Sequence, residues 1–280
     1  MDLQLAGLRC LITGSSSGIG EGIAHTLAAE GASVIVHGRD QQRTAAVAAA
    51  IGGRGQPVLA VTGDLVDPDG CAEVARRCNE MLGGVDVLIN NAGGKTSSHK
   101  QDGVARPANA AWLETPWDEW RWTYDQNVGA AVRLIQAFAP GMVERGFGRI
   151  INVASASATQ PPPDLADYAP AKAAMVNMTV GLAKTLGGSG VTVNAITPGT
   201  ILTPAVQSTF TGWARQLGWD DTSWDEIERR FTSEVLPQPI RQFGRPDDIG
   251  RMAALLASPL SSYMTGSNYR VDGGFCQSIN

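Results

Sequence analysis

Residues 10–28, CLITGSSSGIGEGIAHTLA, decide the fold. A short apolar run ends at Thr13, Gly14, Gly18 and Gly20 follow, and an alanine-rich amphipathic stretch begins at once. Glycines between a strand and a helix let the backbone turn tightly and approach a pyrophosphate, whose charge the helix N-terminus then stabilises. The spacing is T-G-x-x-x-G-I-G rather than G-x-G-x-x-G, so its position between first strand and first helix carries the signal.

The same rhythm continues outward. Short apolar segments (SVIVHG, PVLAVTGD, VDVLINNAG, GRIINVAS, VTVNAITPG) alternate with amphipathic ones such as CAEVARRCNEMLG and GAAVRLIQAFAPGMVERG, each closed by a glycine where a helix would stop. Apolar strands without clean alternation are buried on both faces, which predicts an α/β fold with a doubly wound parallel sheet of about seven strands between two helical layers. No internal repeat and no linker divides the 280 residues, so a single Rossmann-type domain over 1–280 is expected.

The composition bounds the function. A net charge of -5 without a dense basic run argues against nucleic acid and against an anionic membrane surface. No stretch approaches the ~18 apolar residues of a membrane span, and the opening MDLQLAGL lacks the pattern of an export signal, so a cytoplasmic protein acting on a small molecule is expected. Cys10, Cys71, Cys78 and Cys276 form no CxxC pair, and His25, His37 and His99 share no metal-ligand spacing. Reduced, buried thiols and no metal follow.

The second strand ends in VIVHGRD. An acidic residue there binds the adenosine ribose of NAD; this chain has Gly38 in its place and Arg39 beside it. A guanidinium suits a 2'-phosphate, so the residues favour NADP, with NAD still open through Asp40. Further on, DYAPAKAA sets Tyr168 four residues before Lys172, on one face of a helix. Bringing a phenol from near ~10 to neutrality needs about three pKa units, roughly 4 kcal/mol. One cation about 4 Å away at an effective dielectric of about 20 supplies roughly that much. The expectation is therefore a tyrosine made easier to ionise by its lysine.

In order and spacing, TGSSSGIG, GDL, NNAG, DQNVGA, INVAS, YAPAK, NAITPG and the tail GRPDDIGRMAALLASPLSSYMTGSNYRVDGG together resemble the short-chain dehydrogenase/reductase family almost end to end. The resemblance implies a catalytic set of Asn127, Ser155, Tyr168 and Lys172. It implies that Gly14, Ser16, Gly18, Ile19 and Gly20 form the cofactor turn and that Arg39, Asp64 and Leu65 meet the adenosine end. Asn91, Ala92 and Gly93 would close strand four beside the dinucleotide, with Tyr168, Lys172, Pro198, Gly199 and Ile201 at its other end. Tyr168 would exchange a proton with a ketone or secondary alcohol, Ser155 would stabilise the alkoxide, and Asn127 would complete a proton relay. A lyase or isomerase on the same frame, or a cofactor-binding regulator, stay open as alternatives.

Two segments, 94–117 and 200–240, look longer than the family pattern and carry little strand signal. All seven tryptophans fall within 112–122 and 213–224. Clustered indoles supply stiff apolar surface, so Trp112, Trp117, Trp213, Trp219 and Trp224 are expected to wall a pocket for a bulky apolar substrate, and Trp120 to serve helix packing. Pro161, Pro162 and Pro163 would stiffen another wall. The resemblance also implies a homodimer or homotetramer, paired through the helix around 118–138 and the one starting near Tyr168.

Overall fold

The structure is a computed structural model that describes residues 1–52, 57–94, 112–220 and 222–279. The glycine-rich turn joins β1 (Arg9–Ile12) to α1 (Gly18–Ala29); β2 (Ser33–Gly38), α2 (Gln41–Ile51), β3 (Val58–Thr62), α3 (Pro68–Leu82) and β4 (Val87–Asn90) complete the first half. Then come α4 (Trp117–Tyr124), a π-helical turn (Asp125–Gly129), α5 (Ala130–Glu144), β5 (Gly148–Val153), α6 (Tyr168–Thr185) and β6 (Val191–Pro198). α7 (Pro204–Gln216), α8 (Trp224–Arg230), α9 (Pro246–Ala257) and β7 (Asn268–Val271) finish the chain.

The seven strands form one sheet in the order β3-β2-β1-β4-β5-β6-β7, and every pair is parallel. Successive residues serve opposite faces, as the pleat requires. Ile12, Val34, Val36 and Ile89 pack with Ile23 and Leu27 of α1 and Ile249 and Leu256 of α9. Leu11, Ile35, Leu88 and Ile150 pack with Val74 of α3 and Leu134 and Phe138 of α5. That two-sided burial is why the strands read as continuous apolar runs. The four cysteines are free and buried, as expected.

Strand order reverses between β1 and β4, and the crevice beyond their carboxyl ends is where such sheets bind ligands. Gly14 lies in that crevice at φ +63°, and a Cβ on it would sit 2.9 Å from the Cα of Ala92. Thr13 joins the two strand ends, its Oγ1 accepting from the backbone N–H groups of Asn91 (3.0 Å) and Ala92 (2.9 Å).

Residues 200–240 form α7, α8 and a second π-helical turn, Phe231–Val235. Phe210, Ala214, Ile227, Phe231 and Phe243 make a core of their own, with Trp219 and Trp224 packed against it. The buried Glu228 carboxylate anchors this unit, accepting from the Phe243 N–H (2.9 Å) and from Arg245 (2.8 Å). Of the other long segment, 95–111 lies outside the described residues. No helix among the described residues is long and apolar enough to cross a membrane.

Candidate active site

A cavity of about 910 Å³ opens over the carboxyl ends of the central strands. Gly14, Gly18, Ile19 and Gly20 line one end, Asn91, Ala92 and Gly93 the middle, and Ser155, Tyr168, Lys172, Gly199 and Ile201 the other side. A smaller pocket of about 180 Å³ beside the glycine turn holds Ser16, Arg39, Asp64 and Leu65. Pro198 lines neither: it is buried at the end of β6, paired with Val271.

The catalytic candidates arrive from separate elements. Ser155 follows β5 and Tyr168 opens α6; Lys172, one turn on, is buried and donates from Nζ to the Val153 carbonyl at 2.9 Å. Asn127 lies in the π-helical turn. Its Nδ2 donates to the carbonyls of Thr123 (2.8 Å) and Gly94 (3.0 Å), and its Oδ1 accepts from the Gly94 N–H at 3.1 Å. The clasp holds Asn127 against the strand-four loop rather than in the cavity lining, and π-helical turns of this kind recur at functional sites.

The electrostatics correct one expectation. Burial raises the Tyr168 pKa and a hydrogen bond with Ser155 opposes that rise, so the net shift is upward rather than towards neutrality. The lysine Nζ stands 5.7 Å from the centre of the phenol ring and gives its hydrogen bond to Val153 instead. Burial also pushes Lys172 down, to about 8. Desolvation penalises both charged forms, which a bare Coulomb sum leaves out.

His37 carries no signal in the sequence, where the histidines lack metal-ligand spacing. It is buried near the end of β2, between the turns that follow β1 and β3: its Nδ1 accepts from the Gly14 N–H (3.1 Å) and its Nε2 bonds the Gly63 carbonyl (3.2 Å). Those partners select the neutral tautomer, and burial holds the imidazole down at about 4. Phe275 and Gln277 at the far end of the chain also line the cavity. The β-branched and glycine pattern gave no sign of either.

The tryptophan wall is smaller than expected. Only Trp213 lines the cavity. Trp112 and Trp117 are 54% and 70% exposed, Trp112 leaning on Trp120 with ring centres 5.6 Å apart. Trp219 and Trp224 pack on Phe231 and Phe243. Pro161 and Pro162 do form a wall; Pro163 does not.

Whether these residues fit a dinucleotide is tested at α1. Asp40 caps α2, accepting from the Arg43 N–H at 2.8 Å, and Asp67 caps α3, accepting from the Gly70 N–H at 3.1 Å. Ser17, at the same position of α1, makes no such bond, so the N–H groups at this end keep their capacity for an anion. The glycine-lined crevice and uncapped helix fit a pyrophosphate.

The sequence model of the family described as Enoyl-(acyl carrier protein) reductase matches residues 14–276. The chain belongs to the short-chain dehydrogenase/reductase family. It is an NAD(P)-dependent oxidoreductase of that family. Among its relatives, the 7alpha-hydroxysteroid dehydrogenase of Escherichia coli is 33% identical, covering 100% of this chain and 98% of that one. The L-sorbose reductase of Gluconobacter frateurii, solved with NADPH and L-sorbose, superposes with a TM-score of 0.87 at 33% identity over 100% of both chains. A 7 alpha-hydroxysteroid dehydrogenase complexed with NADH and 7-oxo glycochenodeoxycholic acid gives a TM-score of 0.81 at 32% identity, covering 100% of this chain and 98% of that one. Relatives of this short-chain dehydrogenase/reductase therefore divide between the two dinucleotides.

Proposed function

We propose that the protein interconverts a ketone and a secondary alcohol with NADP(H), using Tyr168 as the proton donor and acceptor. The observation that carries the reading is Tyr168 with Ser155 and Lys172 on one side of the same cavity whose other end is the uncapped start of α1.

The choice of NADP rests on the small pocket. Arg39 and Arg43 both line it. A Cβ on Gly38 would lie 2.5 Å from both Ser16 Oγ and Thr44 Oγ1, so the position that holds the ribose-binding acid in NAD enzymes has no room for one. Asp40, the other candidate, is engaged as the cap of α2. Arg39 and Arg43 would hold the 2'-phosphate, Asp64 and Leu65 the adenine, and the start of α1 the pyrophosphate.

When bound, the dinucleotide supplies hydride exchange with the substrate carbon. Tyr168, held as a neutral phenol by burial, gives its proton to the carbonyl oxygen in reduction and takes it back in oxidation. Ser155 donates to the same oxygen and stabilises negative charge as it develops. Lys172, anchored on Val153, presents a positive charge beneath the site, and Asn127 holds the strand-four loop against the π-helical turn. Its family role in a proton relay belongs to this proposal.

The substrate side of the cavity carries an apolar wall of Pro161, Pro162, Leu165, Phe210, Trp213 and Leu236, with Gln160, Asp164 and Gln277 as polar groups in the same lining. Among the described lining residues Asp164 is the acid and Lys172 the cation, which favours an uncharged ketone over a keto acid. Association as a dimer or tetramer through the helical run 118–138, from α4 into α5, and through α6 is part of the same reading, supported by exposed Trp122 and Tyr124 on the first and Val180 on the second; light scattering at micromolar concentration tests it. The function itself is tested by following NADPH absorbance against neutral ketones and keto acids. NADPH consumption that Tyr168→Phe lowers by about 10²- to 10⁴-fold supports the reading. Near wild-type activity in that variant refutes it.

A further inference from the structure

Three buried side-chain atoms among the described residues have no hydrogen-bond partner: Asn90 Oδ1, Gln126 Oε1 and Trp224 Nε1. Of these, Gln126 alone lines either of the two cavities described above, the 180 Å³ one shared with Arg39, Arg43, Asp64 and Leu65. A buried acceptor without a donor is rare and costly in a folded protein, so its position beside a ligand pocket points to a donor on the ligand.

The backbone around Gln126 is pinned from both sides. Asp125 pairs with Arg133 at 3.0 Å, and Arg133 in turn donates to the Leu65 carbonyl at 3.3 Å. Asn127 is clasped to Gly94. Gln126 is therefore carried on a turn tied both to the loop after β3 and to the loop after β4.

We propose that Gln126 reads the adenosine half of NADP(H), its Oε1 accepting a hydrogen bond from that half. The inference rests on the cofactor reading above and adds a residue to it. Chemistry narrows the donor. Phosphate oxygens and adenine ring nitrogens are acceptors, and the 2'-oxygen of NADP carries phosphate. The adenine exocyclic amine and the free 3'-hydroxyl of the same ribose remain.

The test is Gln126→Met, which keeps the length of the side chain and removes the acceptor. Binding is measured calorimetrically with NADPH and with its deamino analogue, in which hypoxanthine replaces adenine. The variant is expected to bind NADPH about three- to tenfold more weakly. Its melting temperature without cofactor should stay level or rise, since an unpaired buried acceptor has gone. If the amine is the donor, the wild type binds the analogue more weakly and the variant does not distinguish the two. If the hydroxyl is the donor, the variant loses the same factor with both. Unchanged NADPH affinity in the variant overturns this inference alone, as does a weaker affinity accompanied by a lower melting temperature, which marks a structural role. Failure of the wild type to bind NADPH overturns the cofactor reading and this inference together.

Discussion

Replacing Arg39 by leucine tests the cofactor assignment most directly. A charge-assisted hydrogen bond to a phosphate is worth about 1.5–3 kcal/mol. Arg39 is exposed at the pocket rim, and Arg43 lines the same pocket, so solvent screening and a second cation both place the loss near the lower bound. About 1.5 kcal/mol is roughly a tenfold rise in the KM for NADPH. NADH carries no 2'-phosphate, so its KM should hardly move, and added salt should narrow the difference between wild type and variant. Gly38→Asp is the complementary perturbation. Its side chain would be driven into Ser16 and Thr44, both buried, at a cost of about 1–3 kcal/mol in overpacking. That variant should melt lower without gaining a preference for NADH. Steady-state kinetics with both dinucleotides and a thermal melt measure all of this. Equal rises in both KM values for Arg39→Leu, or a wild type that prefers NADH, would refute the reasoning.

Further outcomes follow from His37, Lys172 and the tryptophans. His37 is held near 4 against an ordinary 6.5, so the unfolded chain takes up a proton first as pH falls. Folding stability should therefore drop by on the order of 3 kcal/mol from about pH 6.5 to 4, and His37→Gln should flatten that part of a urea-denaturation series. Lys172 is held near 8 against 10.5, so its buried charge costs stability below pH 8 and stability rises with pH from about 8 to 10.5. Lys172→Met should abolish turnover yet shift the melting temperature little at pH 7, since relief of on the order of 3 kcal/mol is set against about 1.5–3 kcal/mol for the lost charged hydrogen bond to Val153. Trp213→Leu should raise the substrate KM with little change in melting temperature, whereas Trp224→Leu should lower the melting temperature with little change in KM, because only the first indole lines the cavity.

The parts of this protein that were legible in its sequence are those set by neighbours along the chain. Strand rhythm, the glycine turn and the Tyr168–Lys172 spacing are all local, and the sheet assembles them as read. His37, Gln126 and Phe275 were not legible, because each matters through loops that strand order brings together: His37 joins Gly14 to Gly63, and Phe275 reaches a cavity whose first glycine is Gly14. The tryptophans misled for a different reason. Indoles are equally suited to a pocket wall and to a small core, and only the placement of Phe210, Phe231 and Phe243 decides that Trp219 and Trp224 do the second.

The Tyr168–Lys172 pair shows why spacing yields a partner but not the sign of the net shift. A sum over two point charges lowers the phenol's pKa; two groups enclosed together each lose water, and that loss acts against both ions. The protein's own groups thus leave Tyr168 as a phenol, the form that already holds the proton needed for reduction. Oxidation requires the opposite form. Reduction should therefore hold steady through neutral pH and fall as pH rises towards the tyrosine's raised pKa, whereas alcohol oxidation should climb over the same interval. Parallel profiles for the two directions would mean that some group other than Tyr168 carries the proton.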